Sequence, residues 1–469
     1  MLSPVVPFDK GVENVVSGMK ERVFYVDAAG TQRPACSRGR GEVQHLVNRL
    51  VGLTGVVSRF TGAEFLATRT GAKRLAYEKA REELGTKPRS LSSLAELQFF
   101  TKWESTLWSK PQVPRIISPR SFGYNYLLGK YIRPVEHRLF HALQELWQSD
   151  SVVVAKGLTQ QQKAAAIVSK LKPGYVCVGL DASRFDQSIG KELLKIEHAV
   201  YNGVYSDPKL AALLRCQLDN RGRALCRDGI VAANIGAMRC SGDQNTSLGN
   251  CLISCLLAKL FCDESGLLDA DILNDGDDLL LFLPEVDLPK LAHLSDWYLS
   301  WGLRMKVEQP AYEPEQVEFC QSKPVYDGSE WVLVRNPRKA LNTDFAHDGR
   351  LQTEHQVACF MRSVGLCGLS MTAGIPVFQA LYTAAVRHGK TGKVDKRLLA
   401  GLGYQAKLQQ RAGYRCAGKP VSPCARRSFE LAFGITYSEQ IALELRFANM
   451  EFCRHVGIYT ENNNQYGYH

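Results

Sequence analysis

The chain reads as an α+β fold in which an antiparallel hairpin is set among helices. Three observations predict this. Residues 176–180 form a short apolar run that stops at an acid, Asp181, the pattern of a buried strand. Ile272-Leu273 and the apolar run 279–283 flank Asn274-Asp275-Gly276, and Asp-Gly between two apolar runs marks a hairpin. After about Tyr326 the sequence becomes helical in tendency.

The elements come in chain order. The first hundred residues read as mixed helix and loop, with helical spacing over 76–84 and 91–100. Prolines then cluster at Pro111, Pro114 and Pro119, so the segment carrying Arg115 and Arg120 should be extended. The strand at 176–180 is followed by a helix near 192–200. Ser241-Gly242 opens a second helix, in which Leu248, Cys251, Leu252, Cys255 and Leu256 recur at spacings of three and four. The hairpin comes next. Neither an internal repeat nor a low-complexity linker interrupts this order.

Composition sets the bounds. With 469 residues, 45% hydrophobic and 22% charged, the chain can build two or three sub-domains around extended cores. A net charge of +11 fits a polyanionic partner without requiring one. Most of the excess falls in residues 387–427, with eleven Lys or Arg against one acid, Asp395. The fourteen cysteines form no C-x-x-C pair and, like Cys177, Cys251, Cys255 and Cys262, sit mostly in apolar runs. They read as small buried thiols in a reducing compartment, not as a disulfide framework or a zinc site. Residues 1–10 carry prolines and an early acid, unlike a secretory leader. No stretch is expected to reach the ~18 apolar residues that span a bilayer. The runs at 252–261 and 279–283 are too short or are interrupted by Lys259, so membrane association should come through a partner.

Three polar clusters sit at the ends of these elements. They are Asp181-Ala-Ser-Arg-Phe-Asp186, Ser241-Gly-Asp-Gln-Asn-Thr246 continuing to Asn250, and Gly276-Asp277-Asp278. A strand end beside a hairpin turn can bring Asp181 and Asp277 into one coordination shell. Phosphoryl transfer needs charge neutralisation on the attacking and leaving oxygens, which two Mg²⁺ held ~3.5–4 Å apart can supply. Mg²⁺ prefers carboxylate, water and phosphate oxygen. Close carboxylates repel one another, so without cations they are a poor structural choice. Each cluster alone is weak: Asp-Asp in a turn is usually a solvated loop tip, and Ser-Gly before a helix is often only a cap. The ordered set, each member in its expected element, carries the argument.

That order resembles palm motifs A, B and C of positive-strand viral RNA-dependent RNA polymerases. The wording "GLDASRFDQS", "RCSGDQNTSLGNCL" and "LNDGDDLLLFL" resembles the tombusvirus-type (Tombusviridae-like) members. "FTKWE" with "VPRIISPRSFGYNYLLGKYIRPVE" is similar to their fingers motif F, and "GLRMKVEQPAYEPEQVEFCQSKPV" to motifs D and E. "WVLVRNPRKAL" resembles the segment C-terminal to motif E in the same polymerases. The resemblance runs over residues 21–344 and is less clear beyond. It implies a right-hand polymerase of fingers, palm and thumb. Residues 1–175 would be an N-terminal extension and fingers. Residues 176–325 would be an antiparallel palm, with a fingers insertion near 201–235. Residues 326–469 would be a thumb and basic C-terminal region.

The resemblance also implies roles. Asp181 and Asp277 would be metal ligands, with Asp278 assisting, for two Mg²⁺ ions, Mn²⁺ being a substitute. Asp186 and Asn250, supported by Thr246, would bond the ribose 2′-OH, which both donates and accepts. Ser241 and Gly242 would form a loop able to approach the template backbone. Arg115 is the leading candidate for the incoming triphosphate, since guanidinium binds phosphate bidentately. Arg120, Lys102 and Lys110 would share this work. Trp103 stands where the family has a small residue, which leaves Lys102 and Lys110 both eligible. Lys306, by its place in motif D, would protonate the pyrophosphate leaving group, and Cys320 and Gln321 would support the growing 3′ end. From charge alone, Arg411, Arg415, Arg426 and Arg427, with Tyr404 and Tyr414 interleaved, are candidates to bind RNA. The alternative there is a solvated basic face.

Template and product RNA, NTPs and a viral replication protein that supplies membrane anchoring are the expected partners. The expected location is host cytoplasm, at membrane-bound replication complexes. The anchoring part that such viruses place upstream would be a separate product, or this chain a segment. A reverse transcriptase is disfavoured by Gly276, where an aromatic neighbourhood is usual, and by Asn250, where a bulky residue screens the ribose. An RNA-binding scaffold with a dead palm is disfavoured by the intact Asp181, Asp277 and Asp278.

Overall fold

The apolar run that stops at Asp181 becomes the inner strand of a four-stranded antiparallel sheet. A computed structural model describes residues 5–6, 8–26, 30–87, 89–102, 106–107, 113–346, 351, 353–394, 396–413 and 418–450. In it the strand Tyr175–Ser183 lies between Arg304–Val307 and Asp278–Pro284, and Asp278–Pro284 pairs outward with Asp271–Asn274. The last two strands are the expected hairpin.

Successive strand residues face opposite sides. Val176, Val178, Leu180, Leu279, Leu281 and Leu283 join one core, with the helices Phe122–Trp147, Lys191–Tyr205 and Thr246–Ser265. Cys177, Leu273, Leu280 and Phe282 join another, with Ala164 and Ile167 of the helix Gln160–Lys170. Burial on both faces explains why 279–283 is apolar without alternation.

The helix Thr246–Ser265 is apolar around its whole circumference and buried along most of its length, as a helix at the centre of a core must be. By length and composition alone it would also pass for a bilayer span, although Lys259, Asp263 and Glu264 interrupt its apolar sequence. The window that passes the test is 78% buried inside the protein. The twelve described cysteines are all unbridged, and Cys177, Cys251, Cys255 and Cys262 are buried.

Several expectations change. The helix expected over 91–100 stops at Ala95, where Glu96 turns extended. Leu97–Gln98 then pairs in parallel with the strand Asn220–Leu225, and Phe100–Thr101 pairs with Ile116–Ile117. Pairing partners far away in sequence overrode local helical spacing. Likewise the second helix begins at Thr246, not at Ser241-Gly242, which form a turn ahead of it. The hairpin Asn220–Leu225 with Ile230–Gly236 was not expected, although Asp228-Gly229 ahead of the apolar run 230–233 carries the same turn signal as the hairpin at the acids.

Residues beyond 325 build a second core around Phe360, Phe378, Tyr382 and Phe429, from the helices Glu354–Thr372, Phe378–His388, Pro423–Phe433 and Tyr437–Ala448. The boundary expected at 325/326 passes through the strand Ser322–Tyr326. Its partner Trp331–Arg335 sends Leu333 into the core under the main sheet and Val332 and Val334 into the second core. The boundary expected at 175/176 likewise separates helices 122–147 and 160–170 from the sheet they cover.

Leu256 is fully buried, whereas Leu268 is 87% exposed. Leu256→Ala should cost about 2–5 kcal/mol by reduced burial and cavity formation. Leu268→Ala should change stability by less than about 0.5 kcal/mol. Urea unfolding midpoints of the two variants check this.

Candidate active site

Strand register assembles the acids. Asp278 pairs directly with Asp181, and Lys306 pairs with Asp181 from the other side. Directly opposed residues project to the same face of a sheet, so the three side chains share one surface. Asp277 stands one residue earlier, in the turn. Asp181, Asp186 and Asp277 line one cleft of about 810 Å³, together with Lys102, Arg115, Arg239 and Ser241. Lys306 is 68% exposed and lies 3.9 Å from Glu308.

The turn is held from behind. Gly276 has φ +96°, a conformation that suits glycine. The Asn274 side chain donates to the carbonyls of Gly276 and Asp278, at 2.9 and 3.2 Å, and accepts from the Gly276 N–H at 3.0 Å. The Asp275 carboxylate pairs with Lys156 at 2.5 Å and Lys163 at 2.7 Å. Burial alone would raise the Asp275 carboxyl, but the two lysines hold it below its ordinary value. Lys156, Lys163 and Asp275 were missed by sequence reasoning. The lysines lie more than a hundred residues from the turn, and no spacing signals the pairing.

Asp277 and Asp278 show the opposite shift. Although Asp277 and Asp278 open onto solvent, the surrounding protein desolvates them. Burial, then the nearby Asp186, raises the Asp277 carboxyl. Burial, then Asp277, pushes Asp278 up to about 6. Crowded carboxylates of this kind gain from a hard cation, and carboxylate oxygen is the donor Mg²⁺ prefers. Among the described residues no three His, Cys, Asp or Glu side chains form a ready-made metal cage.

Asp186 and Asn250 meet: Asn250 Nδ2 donates to Asp186 Oδ1 at 2.7 Å. Thr246 Oγ1 donates to the Cys240 carbonyl at 2.7 Å and so fastens the loop ahead of its helix. Ser241 Oγ accepts from the Ser118 N–H at 3.3 Å. At Gly242 a Cβ would fall 2.4 Å from Pro119 Cα. A close approach that requires glycine is therefore made here by the Pro119 backbone, and Gly242 also lines a second cleft. Lys102 and Arg115 are joined through backbone, Lys102 N–H to Arg115 carbonyl at 2.7 Å. Lys110 lies outside the described residues.

Arg120 is corrected as a triphosphate ligand. It is 4% exposed, pairs with Asp243 at 2.6 Å, and donates to the Ala95 carbonyl at 2.7 Å and to Asn220. Its donors are consumed inside the protein, where it joins the segment before the Phe122–Trp147 helix to the Ser241 loop.

Cys320 and Gln321 both take left-handed backbone, φ +51° and +58°, in a tight turn closed by Phe319 and Ser322. Cys320 Sγ lies 3.6 Å from Asp275 Oδ2, so this turn abuts the acidic one. Burial raises the Cys320 thiol. Gln321 Oε1 accepts from Lys339.

The basic window is thinner than its count. Arg426 forms a two-fold pair with Glu444, at 3.1 and 2.9 Å, which joins two helices and corrects its expected role on RNA. Arg387 donates to the Ala448 carbonyl at 2.6 Å, and Lys419 pairs with Asp327. Arg411 and Tyr404 are exposed, and Arg427 is 68% exposed beside Glu430. Arg415 and Tyr414 lie outside the described residues.

A second cleft of about 1130 Å³ shares Ser241 with the first. Lys73, Lys87 and Arg89 line it with the exposed rings of Phe100 and Phe122; Lys79 and Glu83, 3.9 Å apart, also reach it. Phe100 and Phe122 fall in the segments that resemble motif F, but no apolar period or motif marked Lys73, Lys87 or Arg89.

Arg120→Met would strand the buried Asp243 carboxylate and should cost about 3–5 kcal/mol. Arg115→Met, at an exposed position, should leave the thermal midpoint within about 2 °C of the unaltered chain. Differential scanning calorimetry separates the two.

Comparison with known proteins gives one family, described as viral RNA dependent RNA polymerase, matching residues 4–455 and so extending past residue 344. The chain is 38% identical over 452 residues to the RNA-directed RNA polymerase of Maize chlorotic mottle virus (isolate United States/Kansas/1987), covering 92% of this chain and 46% of that protein. It is 36% identical over 449 residues to that of Tobacco necrosis virus (strain A), covering 93% and 61%. It is 32% identical over 451 residues to that of Turnip crinkle virus, covering 94% and 58%. The chain thus spans about half the length of the curated relatives it matches.

Proposed function

The chain belongs to the viral RNA-dependent RNA polymerase family, and from that premise we propose that it performs template-directed RNA synthesis from NTPs, releasing pyrophosphate, for viral genome replication and transcription. One observation carries the reading. Asp278 is paired in register with Asp181, and Asp181 lines a cleft that also gathers Asp277, Asp186, Lys102 and Arg115. The division into fingers, palm and thumb is part of this proposal, with the four-stranded sheet as palm.

Lys102 and Arg115 bind the triphosphate, as cations lining the same cleft as the acids. Asp186 and Asn250 receive the ribose. Asp181 and Asp277, with Asp278 assisting, would hold two Mg²⁺ ions, which when bound supply a stronger nucleophile and neutralise charge on the leaving phosphates. Lys306, opposite Asp181 in register, donates a proton to the leaving pyrophosphate. Cys320 and Gln321 support the 3′ end beside the acidic turn. The second cleft takes single-stranded template, since its cations suit phosphates and its exposed rings suit unpaired bases. Arg411 and Arg427, exposed on C-terminal helices, offer further cations for RNA phosphates. By family resemblance, the polymerase works at host membranes through a viral partner protein.

Asp277→Asn keeps the turn's shape and should lower RNA synthesis below a few per cent of the unaltered chain, with an unchanged thermal midpoint. Greater residual activity in a primer-extension assay with Mg²⁺ would remove Asp277 from the ligand set. Replacing Lys73, Lys87 and Arg89 with Ala should flatten the dependence of log K on log salt by roughly 0.7 for each phosphate that is no longer neutralised. Binding of unrelated single-stranded RNAs should weaken alike, because phosphate contacts carry no base information. A slope unaltered in filter binding would place the RNA path elsewhere.

A further inference from the structure

The cleft's sugar-facing pair does not stand alone. Asn250 is held by Arg239, which is among the residues lining the cleft and whose Nε donates to Asn250 Oδ1 at 2.9 Å. Arg239 is in turn paired with Glu197, and both side chains are fully buried. Glu197 also accepts from Asn245 Nδ2 at 2.6 Å. Its carboxylate fits against the Thr246–Ser265 helix only because residue 249 is glycine, where a Cβ would fall 2.2 Å from Glu197 Oε1. The Arg239 backbone is fixed separately, its N–H donating to the Ile189 carbonyl at 3.1 Å. The chain of contacts therefore runs Glu197, Arg239, Asn250, Asp186, and its last member opens on the catalytic cleft.

The chemistry of this chain forces one orientation. A guanidinium only donates, so the Asn250 atom facing Arg239 must be the oxygen. An ionised Asp186 only accepts, so the atom facing it must be the nitrogen. An Asn held at one end alone could turn its carboxamide; held at both, it cannot. In that orientation one N–H of Asn250 and one oxygen of Asp186 remain for a ligand. A hydroxyl that both donates and accepts matches that pair, and a sugar without it leaves both unpaired.

We propose that Arg239, anchored by Glu197, is a positioning residue for sugar discrimination, which locks the Asn250 carboxamide so that it and Asp186 together bond a 2′-hydroxyl. This rests on the RNA-synthesis reading above, in which Asp186 and Asn250 receive the ribose. Arg239 itself acts through Asn250. Its buried pairing also makes it a structural residue, so the informative readout is the choice of sugar.

The test uses the full chain, primed poly(U) template and Mg²⁺, with ATP against dATP. The ratio of incorporation efficiencies is measured for the unaltered chain, Arg239→Lys, Asn250→Ala and the double variant. Lysine keeps a cation beside Glu197 but lacks the Nε donor. The ratio should fall at least tenfold in Arg239→Lys, because the carboxamide is free to turn, and Asn250→Ala should then add less than twofold to that fall. An unchanged ratio in Arg239→Lys, or full additivity of the two substitutions, overturns the proposal. Should Arg239→Lys lose its folded thermal transition, the same two readings are taken from Glu197→Gln with Arg239→Gln, which removes both buried charges together. Absence of any ATP-dependent product from the unaltered chain overturns the RNA-synthesis reading, and this proposal with it. Product from the unaltered chain with an unaltered ratio in the variants overturns this proposal alone.

Discussion

Everything at the cleft depends on the register in which Tyr175–Ser183 pairs with Asp278–Pro284. A slip of one residue would turn every side chain to the opposite face and carry Asp278 away from Asp181. The apolar residues alone choose this register weakly, because both faces of the sheet are buried and both accept Val, Leu or Phe. Polar fastenings at the strand ends choose it instead. Asn274 closes the turn on itself, and Lys156 and Lys163 hold Asp275 by ion pairs. The Cys177 backbone pairs in both directions with Ala311, at 2.9 and 2.8 Å, and ties the strand to the segment leading into the Cys320 turn.

The charges around the site divide by depth. Asp275, Glu197 and Asp243 are each compensated within the protein by lysine or arginine. Asp277 and Asp278 form no such ion pair among the described residues, and burial raises both despite Lys156 near Asp277. Buried ion pairs add little net stability compared with apolar packing, yet removing one partner is costly, so they fix geometry. Here they fix the three segments that carry the polar clusters. The uncompensated acids are left to whatever cation and phosphate enter the cleft. A cation near this site can therefore be a strut or a ligand contact, and only depth distinguishes Arg120 from Arg115.

The same division governs the C-terminal part. Its net positive charge is real, but Arg387, Lys419 and Arg426 are engaged in joining one segment to another. The second core they stabilise shares the Ser322–Tyr326 hairpin with the core beneath the main sheet. The Cys320 turn is thus attached to both cores and to Asp275, which couples the placement of the helical C-terminal part to the acidic turn.

The sequence by itself determined the α+β class, the strand ending at Asp181, the Asp-Gly hairpin and the ordered clusters that bring Asp181, Asp186, Asp277 and Asn250 together. Those signals are local: strand ends, turns and helical periods depend on neighbours a few residues apart. It also carried the family resemblance, because the clusters are written in contiguous residues. Tertiary structure decided what lies between them. Leu97–Gln98 left a helical pattern for a strand partner more than a hundred residues away. Arg120 and Arg426 went from expected ligand contacts to buried or half-buried struts, and Gly242 and Gly249 proved to admit Pro119 and the Glu197 carboxylate. Burial, partner and close approach are properties of distant residues meeting, and a linear pattern holds no record of which ones meet.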